Sequence, residues 1–129
     1  MPQSLALELD SEAAASPARV AEISDIVITV VSDDAAMRDI YAEIDSTSLM
    51  AHAKDRLFIN CATLTPALHI DIEQAVERRG GAALEACMAS SITQARQGTL
   101  YIMCGGKQNV FNRARPVLNS LGTIVRYIG

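Results

Sequence analysis

The sequence predicts an α/β domain in which helices cover both faces of a parallel sheet. Continuous runs of β-branched and other apolar residues, such as residues 26–31, are typical of strands buried on both faces. Segments with helical apolar periodicity separate these runs, and serine or threonine followed by proline marks two of the helix starts. The chain has 129 residues, of which 50% are apolar and 20% are charged. That composition favours a single domain over residues 1–129 with one core.

The first fifteen residues leave two structures open. The leucines within residues 5–9 alternate with other residues, as in a short strand, but they also suit the end of a helix. Ser16 and Pro17 then begin a helix, with serine as the N-cap and proline in the first turn. Residues 25–31 follow as the first clear strand, and their apolar character predicts a position in the middle of a sheet.

Helices and strands continue to alternate along the rest of the chain. The predicted helices begin after residues 32–34, at residue 46 and at residue 65, and a helical turn lies within 89–97. The predicted strands cover residues 57–61, 82–87, 99–104 and 123–128. A last helix, bent by Pro116, has its apolar face between residues 110 and 121. This alternation is typical of a parallel α/β fold.

Composition and charge exclude several classes of protein. The net charge is −4, the pI is about 5.0 and there is no tryptophan, so we expect neither the basic face nor the aromatic platforms of a nucleic-acid binder. No apolar run reaches the ~20 residues that span a bilayer, and no basic leader starts the chain. Three cysteines without a Cys-x-x-Cys pair indicate reduced thiols. We therefore expect a cytoplasmic protein that contacts no membrane.

Four segments resemble the β-hydroxyacid dehydrogenase family, which includes phosphogluconate and hydroxyisobutyrate dehydrogenases. Residues 24–34 (SDIVITVVSDD) resemble its fourth strand and the turn after it. Residues 59–66 (INCATLTP) resemble its D-C-S-T-x-x-P segment, and residues 98–106 (GTLYIMCGG) with 111–118 (FNRARPVL) resemble its G-T-L-x-x-M-x-G-G and F-x-x-A-R-P-V-L segments. The resemblance covers roughly residues 11–129. It implies an incomplete, Rossmann-like parallel sheet with helices on both faces.

The chain departs from that family where the cofactor and substrate are bound. The family's Gly-x-Gly-x-x-Gly turn, whose backbone approaches the cofactor pyrophosphate, has no counterpart, because the first glycine here is Gly80. Residues 85–91 (EACMASS) replace the substrate segment D-A-P-V-S-G-G. The family's catalytic lysine lies on a C-terminal helical domain beyond residue 129. The resemblance therefore implies that the isolated chain does not bind NAD(P), and we expect no cofactor.

Candidate site residues gather where the predicted strands end, because ligands of open α/β sheets bind at the carboxyl ends of the strands. The candidate catalytic residues are Asp33, His69, Glu85 and Cys87. The candidate substrate-binding residues are Asp34, Thr63, Ser90 and Ser91. Four of these residues also have an ordinary structural interpretation. It is a helix N-cap for the two aspartates, an isolated exposed imidazole for the histidine and an inert buried thiol for the cysteine. No spacing predicts a metal site.

Two classes of function remain open from the sequence, and whether the chain is an enzyme is one of the open points. The first is a degenerate dehydrogenase domain that binds a small organic molecule in a biosynthetic role, as a cofactor-independent isomerase, cyclase or lyase with acid/base residues. The alternative is a non-catalytic binding or regulatory module, or a fragment of an NAD(P)-dependent oxidoreductase. We also expect a homodimer, because the resemblance implies that the family's first strand, which is missing here, lies beside the strand at 26–31, so that this strand is left at an edge with unpaired backbone groups.

Overall fold

A computed structural model describes residues 4, 7–9, 11–31, 33–42, 46–62, 64–89 and 92–129. The chain alternates between helices and strands, and a short 3₁₀ helix precedes the second strand. In chain order the elements are α1 (Pro17–Glu22), β1 (Ile26–Thr29), α2 (Asp34–Ile40), the 3₁₀ helix (Leu49–His52), β2 (Leu57–Asn60), α3 (Pro66–Arg78), β3 (Ala82–Met88), α4 (Ile92–Gln97), β4 (Leu100–Gly105), α5 (Gln108–Leu121) and β5 (Gly122–Tyr127).

The five strands form one mixed sheet in the order β1-β2-β3-β4-β5. β1, β2 and β3 are parallel, as predicted, and β4 is parallel to β5. The pairing of β3 with β4 is antiparallel, so the sheet is not parallel throughout. The segment 89–99 between them is too short for the crossover that a parallel neighbour needs, whereas α5 supplies such a crossover between β4 and β5. The predicted α/β class is confirmed.

Helices pack on both faces of the sheet and create two apolar clusters. On one face, α2 and α3 bury side chains that include Met37 and Leu68 against Phe58 of β2. On the other face, α5 buries Leu118 against Ile59 and other strand residues. β2 is buried along its whole length because both clusters cover it. The predicted covering of both faces is confirmed.

The structure decides one segment that the sequence left open and changes the local structure of another. The described part of residues 5–9 is helical at Leu7 and Glu8, and both leucines described there are exposed, so no strand forms at Leu7 or Glu8. The helix predicted from residue 46 is a single 3₁₀ turn, because the Ser48 hydroxyl accepts the Met50 N–H and fixes a tight start.

Within the part of the chain that the structure describes, no strand pairs with the outer edge of β1. Leu57 N–H donates to the Asp25 carbonyl at 3.0 Å, and Cys61 N–H donates to the Thr29 carbonyl at 2.9 Å. Because backbone groups alternate along a strand, those of Ile28 and Val30 point away from β2. Among the described strands, only β2 lies beside β1. Ile28 is also 41% exposed and Val30 is 70% exposed, so one face of β1 is uncovered as well.

Candidate functional site

A buried asparagine joins the ends of β1 and β2. The Asn60 side-chain carbonyl accepts hydrogen bonds from the Thr29 hydroxyl and the Tyr41 hydroxyl, each at 2.6 Å. Asn60 is 1% exposed. Burial raises the pKa of Tyr41, so this phenol stays protonated and remains a donor. The three side chains fix β1, β2 and the end of α2 relative to one another at the carboxyl edge of the sheet.

The two aspartates after β1 have structural partners. The Asp33 carboxylate accepts the Ala36 N–H at 2.8 Å and is the N-cap of α2. Asp34 accepts the Thr65 hydroxyl at 2.9 Å and the Thr65 N–H at 3.3 Å. Asp34 thus connects the loop after β1 to the loop after β2, whereas Asp33 has the capping role that was its alternative interpretation.

His69, Glu85 and Cys87 come together on the same face of the sheet. His69 Nε2 lies 3.2 Å from the Ala62 carbonyl oxygen and 3.6 Å from Glu85 Oε1. The Cys87 thiol donates to Glu85 Oε1 at 3.3 Å. Both neighbours of Nε2 are acceptors, so Nε2 carries a proton and donates it. His69 is only 7% exposed, so it is not the exposed imidazole of the structural alternative.

His69 and Glu85 border a cavity of about 420 Å³ between α3 and the end of β4. Its polar lining comes from β2, α3 and β3, and from the end of β4 with the turn after it. That lining comprises Asn60, His69, Glu73, Glu85, Gly105, Gly106 and Lys107. Burial raises the pKa of Glu73, and the neighbouring Glu77 raises it further against the opposing charge of Lys107. Lys107 forms an ion pair with Glu77.

The other two cysteines do not have reactive surroundings. Burial raises the pKa of Cys61 to about 12, with smaller contributions from Cys104 and Cys87. Burial likewise raises the pKa of Cys104 to about 11, helped by Cys87 and Glu85. Both thiols are protonated at neutral pH and inert. The surroundings of Cys87 differ, because this residue is half-buried and its thiol donates a hydrogen bond to the Glu85 carboxylate.

The predicted site is therefore divided in the structure. His69, Glu85 and Cys87 meet, whereas Asp33 and Asp34 lie outside the described lining of the cavity. Three predicted substrate-binding residues lie outside the described residues: Thr63, Ser90 and Ser91. Sequence reasoning missed Glu73, although its position four residues after His69 places both on one face of α3. It also missed Lys107, which directly follows the glycine pair.

Within the residues that the structure describes, no group of three or more histidine, cysteine or acidic side chains is placed to hold a metal ion. In the same part of the chain, no helix combines the length and the apolar character that crossing a membrane requires.

Sequence comparison matches the chain to one domain family and to parts of several dehydrogenases. Residues 3–129 match the family described as the NAD binding domain of 6-phosphogluconate dehydrogenase. Mitochondrial 3-hydroxyisobutyrate dehydrogenase of Rattus norvegicus is 30% identical over 122 residues, which is 95% of this chain and 36% of that protein. NAD-dependent L-serine dehydrogenase of Pseudomonas aeruginosa is 29% identical over 120 residues, covering 92% of this chain and 40% of the relative. The chain thus spans well under half of these relatives.

Solved structures share the fold. Mycobacterium tuberculosis 3-hydroxyisobutyrate dehydrogenase, solved with L-serine, superposes with a TM-score of 0.83 at 25% identity, over 93% of this chain and 40% of its own. An imine reductase from Myxococcus stipitatus, solved with NADP⁺, gives a TM-score of 0.86 at 19% identity, over 98% of this chain and 43% of its own. The second likeness is one of fold alone.

Two predictions from the sequence are wrong in the light of these relatives. The relatives named above are 3-hydroxyisobutyrate and L-serine dehydrogenases. The predicted cofactor-independent isomerase, cyclase or lyase therefore has no support. The expectation of no cofactor is wrong because the matched domain is an NAD-binding one. The sequence lacks the glycine turn, but residues 3–129 still match the NAD-binding domain family. The chain belongs to the family of NAD-binding domains of 6-phosphogluconate dehydrogenase.

Proposed function

We propose that the chain is the part of a hydroxyacid dehydrogenase that forms one wall of the NAD(P) crevice and the floor beneath the substrate. The family match and the dehydrogenases among the relatives support this proposal. In open α/β sheets, dinucleotides bind at the carboxyl ends of the strands, where the strand order reverses. The described strands run in the order β1-β2-β3-β4-β5 without a reversal, so in this proposal the reversal point lies where an added strand would pair with β1. The fragment alternative from the sequence is therefore the better supported one.

One observation carries the proposal, and it is the incomplete surroundings of β1. β1 is a parallel strand with apolar residues on both faces, yet no described strand pairs with its outer edge and Ile28 on one face is 41% exposed. Parallel strands are ordinarily buried on both faces. A further strand would satisfy the backbone groups of Ile28 and Val30, and a helix following that strand would cover their side chains. A strand–turn–helix unit is also what carries the phosphate-binding glycines in dinucleotide-binding sheets.

The end of β1 fits one side of such a cofactor. Val30 follows β1, and its apolar side chain is 70% exposed and can lie against a flat ring. The sequence has no glycine before Gly80, so the pyrophosphate cradle must come from the added unit. When bound, NAD(P) supplies hydride transfer, and this chain supplies shape and orientation.

The substrate side of the proposed crevice belongs to His69, Glu85 and Cys87. Glu85 stands where the family segment has its aspartate, and His69 is held against it, so this pair can accept or return a proton. Asp34 is a positioning residue, because its bonds to Thr65 hold the loops after β1 and β2 together. Roles for Thr63, Ser90 and Ser91 in substrate binding remain predictions, and so does that of Asp33.

The proposal is tested by joining a strand–glycine turn–helix unit from a 3-hydroxyisobutyrate dehydrogenase ahead of residue 3 and titrating NADH by calorimetry. We expect binding with a Kd in the micromolar range. Ile28→Arg should weaken it at least about tenfold by blocking the open face of β1. Ile124→Arg is the matched control, because Ile124 on β5 is 43% exposed against 41% for Ile28. Absence of NADH binding in the joined protein, or equal loss in both variants, contradicts the proposal.

The same open edge supports the predicted homodimer as a second use of this surface. Unpaired strand edges invite pairing with another chain. Sedimentation of the 129-residue chain at micromolar concentration distinguishes a homodimer from a monomer. A dimer that dissociates when the added unit occupies β1 supports edge pairing, and a monomer at all concentrations excludes it.

A further inference from the structure

We infer that the outer edge of β5 binds residues 7–9 of a second copy of this chain as an added strand. This edge lies at the opposite end of the sheet from β1, and the inference does not depend on NAD(P) binding. It rests on the backbone groups of β5, on the side chains of its open face and on the distribution of charge along the chain.

No strand that the structure describes pairs with the outer edge of β5. Ile128 N–H donates to the Cys104 carbonyl on β4 at 2.9 Å. Because backbone groups alternate along a strand, those of Val125 and Tyr127 point away from β4. Strand groups of this kind are a template for pairing with another chain.

The two faces of β5 differ in character. Val125 and Tyr127 pack against the apolar cluster under α5. Side chains alternate along a strand, so Ile124, Arg126 and Ile128 lie on the other face. There Ile124 is 43% exposed, Ile128 is 71% exposed and Arg126 is exposed as well. An added strand would therefore meet apolar side chains on the α5 face and a cation on the open face.

The charge of the chain changes sign along its length. All 15 acidic residues precede residue 86, whereas residues 86–129 contain five basic residues and no acidic one. Arg126 takes part in none of the ion pairs that the structure describes. A basic edge favours an acidic partner. The isoleucines beside Arg126 and the aromatic content of only 4% favour a protein segment over a nucleic acid.

The chain itself contains a segment with the matching pattern. Residues 7–12 read LELDSE, so apolar and acidic residues alternate from Leu7. Leu7 is 84% exposed and Leu9 is 64% exposed. Leu7 and Glu8 are helical in the single chain, but so short a helix is marginal in water and opposes a change to a strand only weakly.

Paired with β5, this segment matches both of its faces at once. The two leucines would lie beside Val125 and Tyr127, and Glu8 would lie opposite Arg126. A shift by one residue would exchange the faces and place the leucines beside the arginine, so the pattern also fixes the register.

The segment comes from a second copy, because its own β5 is out of reach. Glu12 Oε1 lies 3.8 Å from Arg19 Nη2 of α1, the helix that directly precedes β1. β1 and β5 are four strand spacings apart, which is ~19 Å. The chain from Glu12 back to Glu8 spans at most ~14 Å.

Sedimentation equilibrium of the 129-residue chain tests this inference. We expect association with a Kd of ~100 μM that weakens as salt is raised. Arg126→Glu should weaken it about tenfold, because like charges would then lie opposite each other. Arg113→Glu is the matched control, since it makes the same change of charge on the exposed side of α5. Its effect should stay within about twofold.

A charge exchange between the two partners makes the test specific. Glu8→Lys should also weaken association about tenfold, and the double variant with Arg126→Glu should return to within about threefold of the wild type. A variant that had merely lost stability would not be rescued in this way. Ile28→Arg should change the Kd by less than about twofold, which separates this contact from pairing at β1.

A synthetic peptide of residues 3–13 gives a second readout on the unaltered chain. In excess, it should slow hydrogen exchange of the Val125 and Tyr127 amides at least about tenfold. The Ile128 amide, already bonded to Cys104, should change little.

Four results would overturn the inference. They are a wild-type chain that stays monomeric up to about 1 mM, equal effects of Arg126→Glu and Arg113→Glu, absence of rescue in the double variant, and unchanged exchange of the β5 amides with the peptide. Association that is lost in Ile28→Arg but kept in Arg126→Glu would assign the contact to β1 instead.

Discussion

The Tyr41 hydroxyl donates a 2.6 Å hydrogen bond to the side-chain carbonyl of Asn60, which also accepts from Thr29 at 2.6 Å. Tyr41→Phe removes one donor and leaves the other in place. We expect the free energy of unfolding to fall by about 1–2 kcal/mol, because the bond is buried. Urea unfolding measures this change. In a cycle with Thr29→Val, the double variant should differ from the sum of the single ones, since both donors share one acceptor. Unchanged stability of Tyr41→Phe contradicts this account.

Arg56 stabilises the junction of α1 and β1 through backbone carbonyls. Its guanidinium donates to the carbonyls of Ala21 at 2.9 Å, Glu22 at 3.0 Å and Ser24 at 3.2 Å. Lysine cannot reproduce this fork, so Arg56→Lys should reduce the free energy of unfolding by about 1.5–3 kcal/mol.

Arg113→Lys on the exposed side of α5 provides the control for that variant, with an expected change within about 0.5 kcal/mol. Thermal unfolding of both variants gives the comparison. Equal melting temperatures for the two would show that the Arg56 fork does not stabilise the fold.

The Glu73 carboxylate should make stability depend on pH. Its pKa in the folded chain is raised above the ordinary value of 4.5, first by burial and then by Glu77. The protonated form is thus favoured by folding, so the stabilisation is complete below the ordinary pKa and is lost as pH rises through the raised one. Glu73→Gln should therefore raise the melting temperature at pH 7, and this gain should shrink below pH 4.5.

A Glu73→Gln variant that is less stable than the wild type at pH 7 would contradict the assigned direction of the shift. Asp71→Asn, on the exposed part of α3, is the matched control for this substitution.

Local pattern was sufficient to predict most of the fold. The run at residues 25–31 and the proline after Thr65 predicted β1 and the start of α3, because apolar content and helix capping are local properties. The direction of β4 relative to β3 cannot be predicted from the residues of β4 alone. It depends on the length of the segment 89–99, because the apolar pattern of a strand does not indicate whether it pairs parallel or antiparallel.

The candidate site was predictable only in part, for the same reason. Glu85 and Cys87 are two residues apart on one strand, so they share a face whatever surrounds them. His69 reaches them because α3 packs over β2 and β3, with Asn60 in register with Glu85. Neither the burial of His69 nor the cavity between α3 and the end of β4 can be predicted from a short segment of sequence.

Hydrogen exchange at the β1 amides tests the central claim most directly. In the isolated chain, the Ile28 and Val30 amides face an open edge and should exchange readily. In the protein carrying the added strand–glycine turn–helix unit, we predict that they slow at least about 100-fold, while the amide of Leu57, already bonded to Asp25, changes little. Unchanged exchange at Ile28 and Val30 in the joined protein would contradict the assignment of β1 as the inner strand of an NAD(P)-binding sheet.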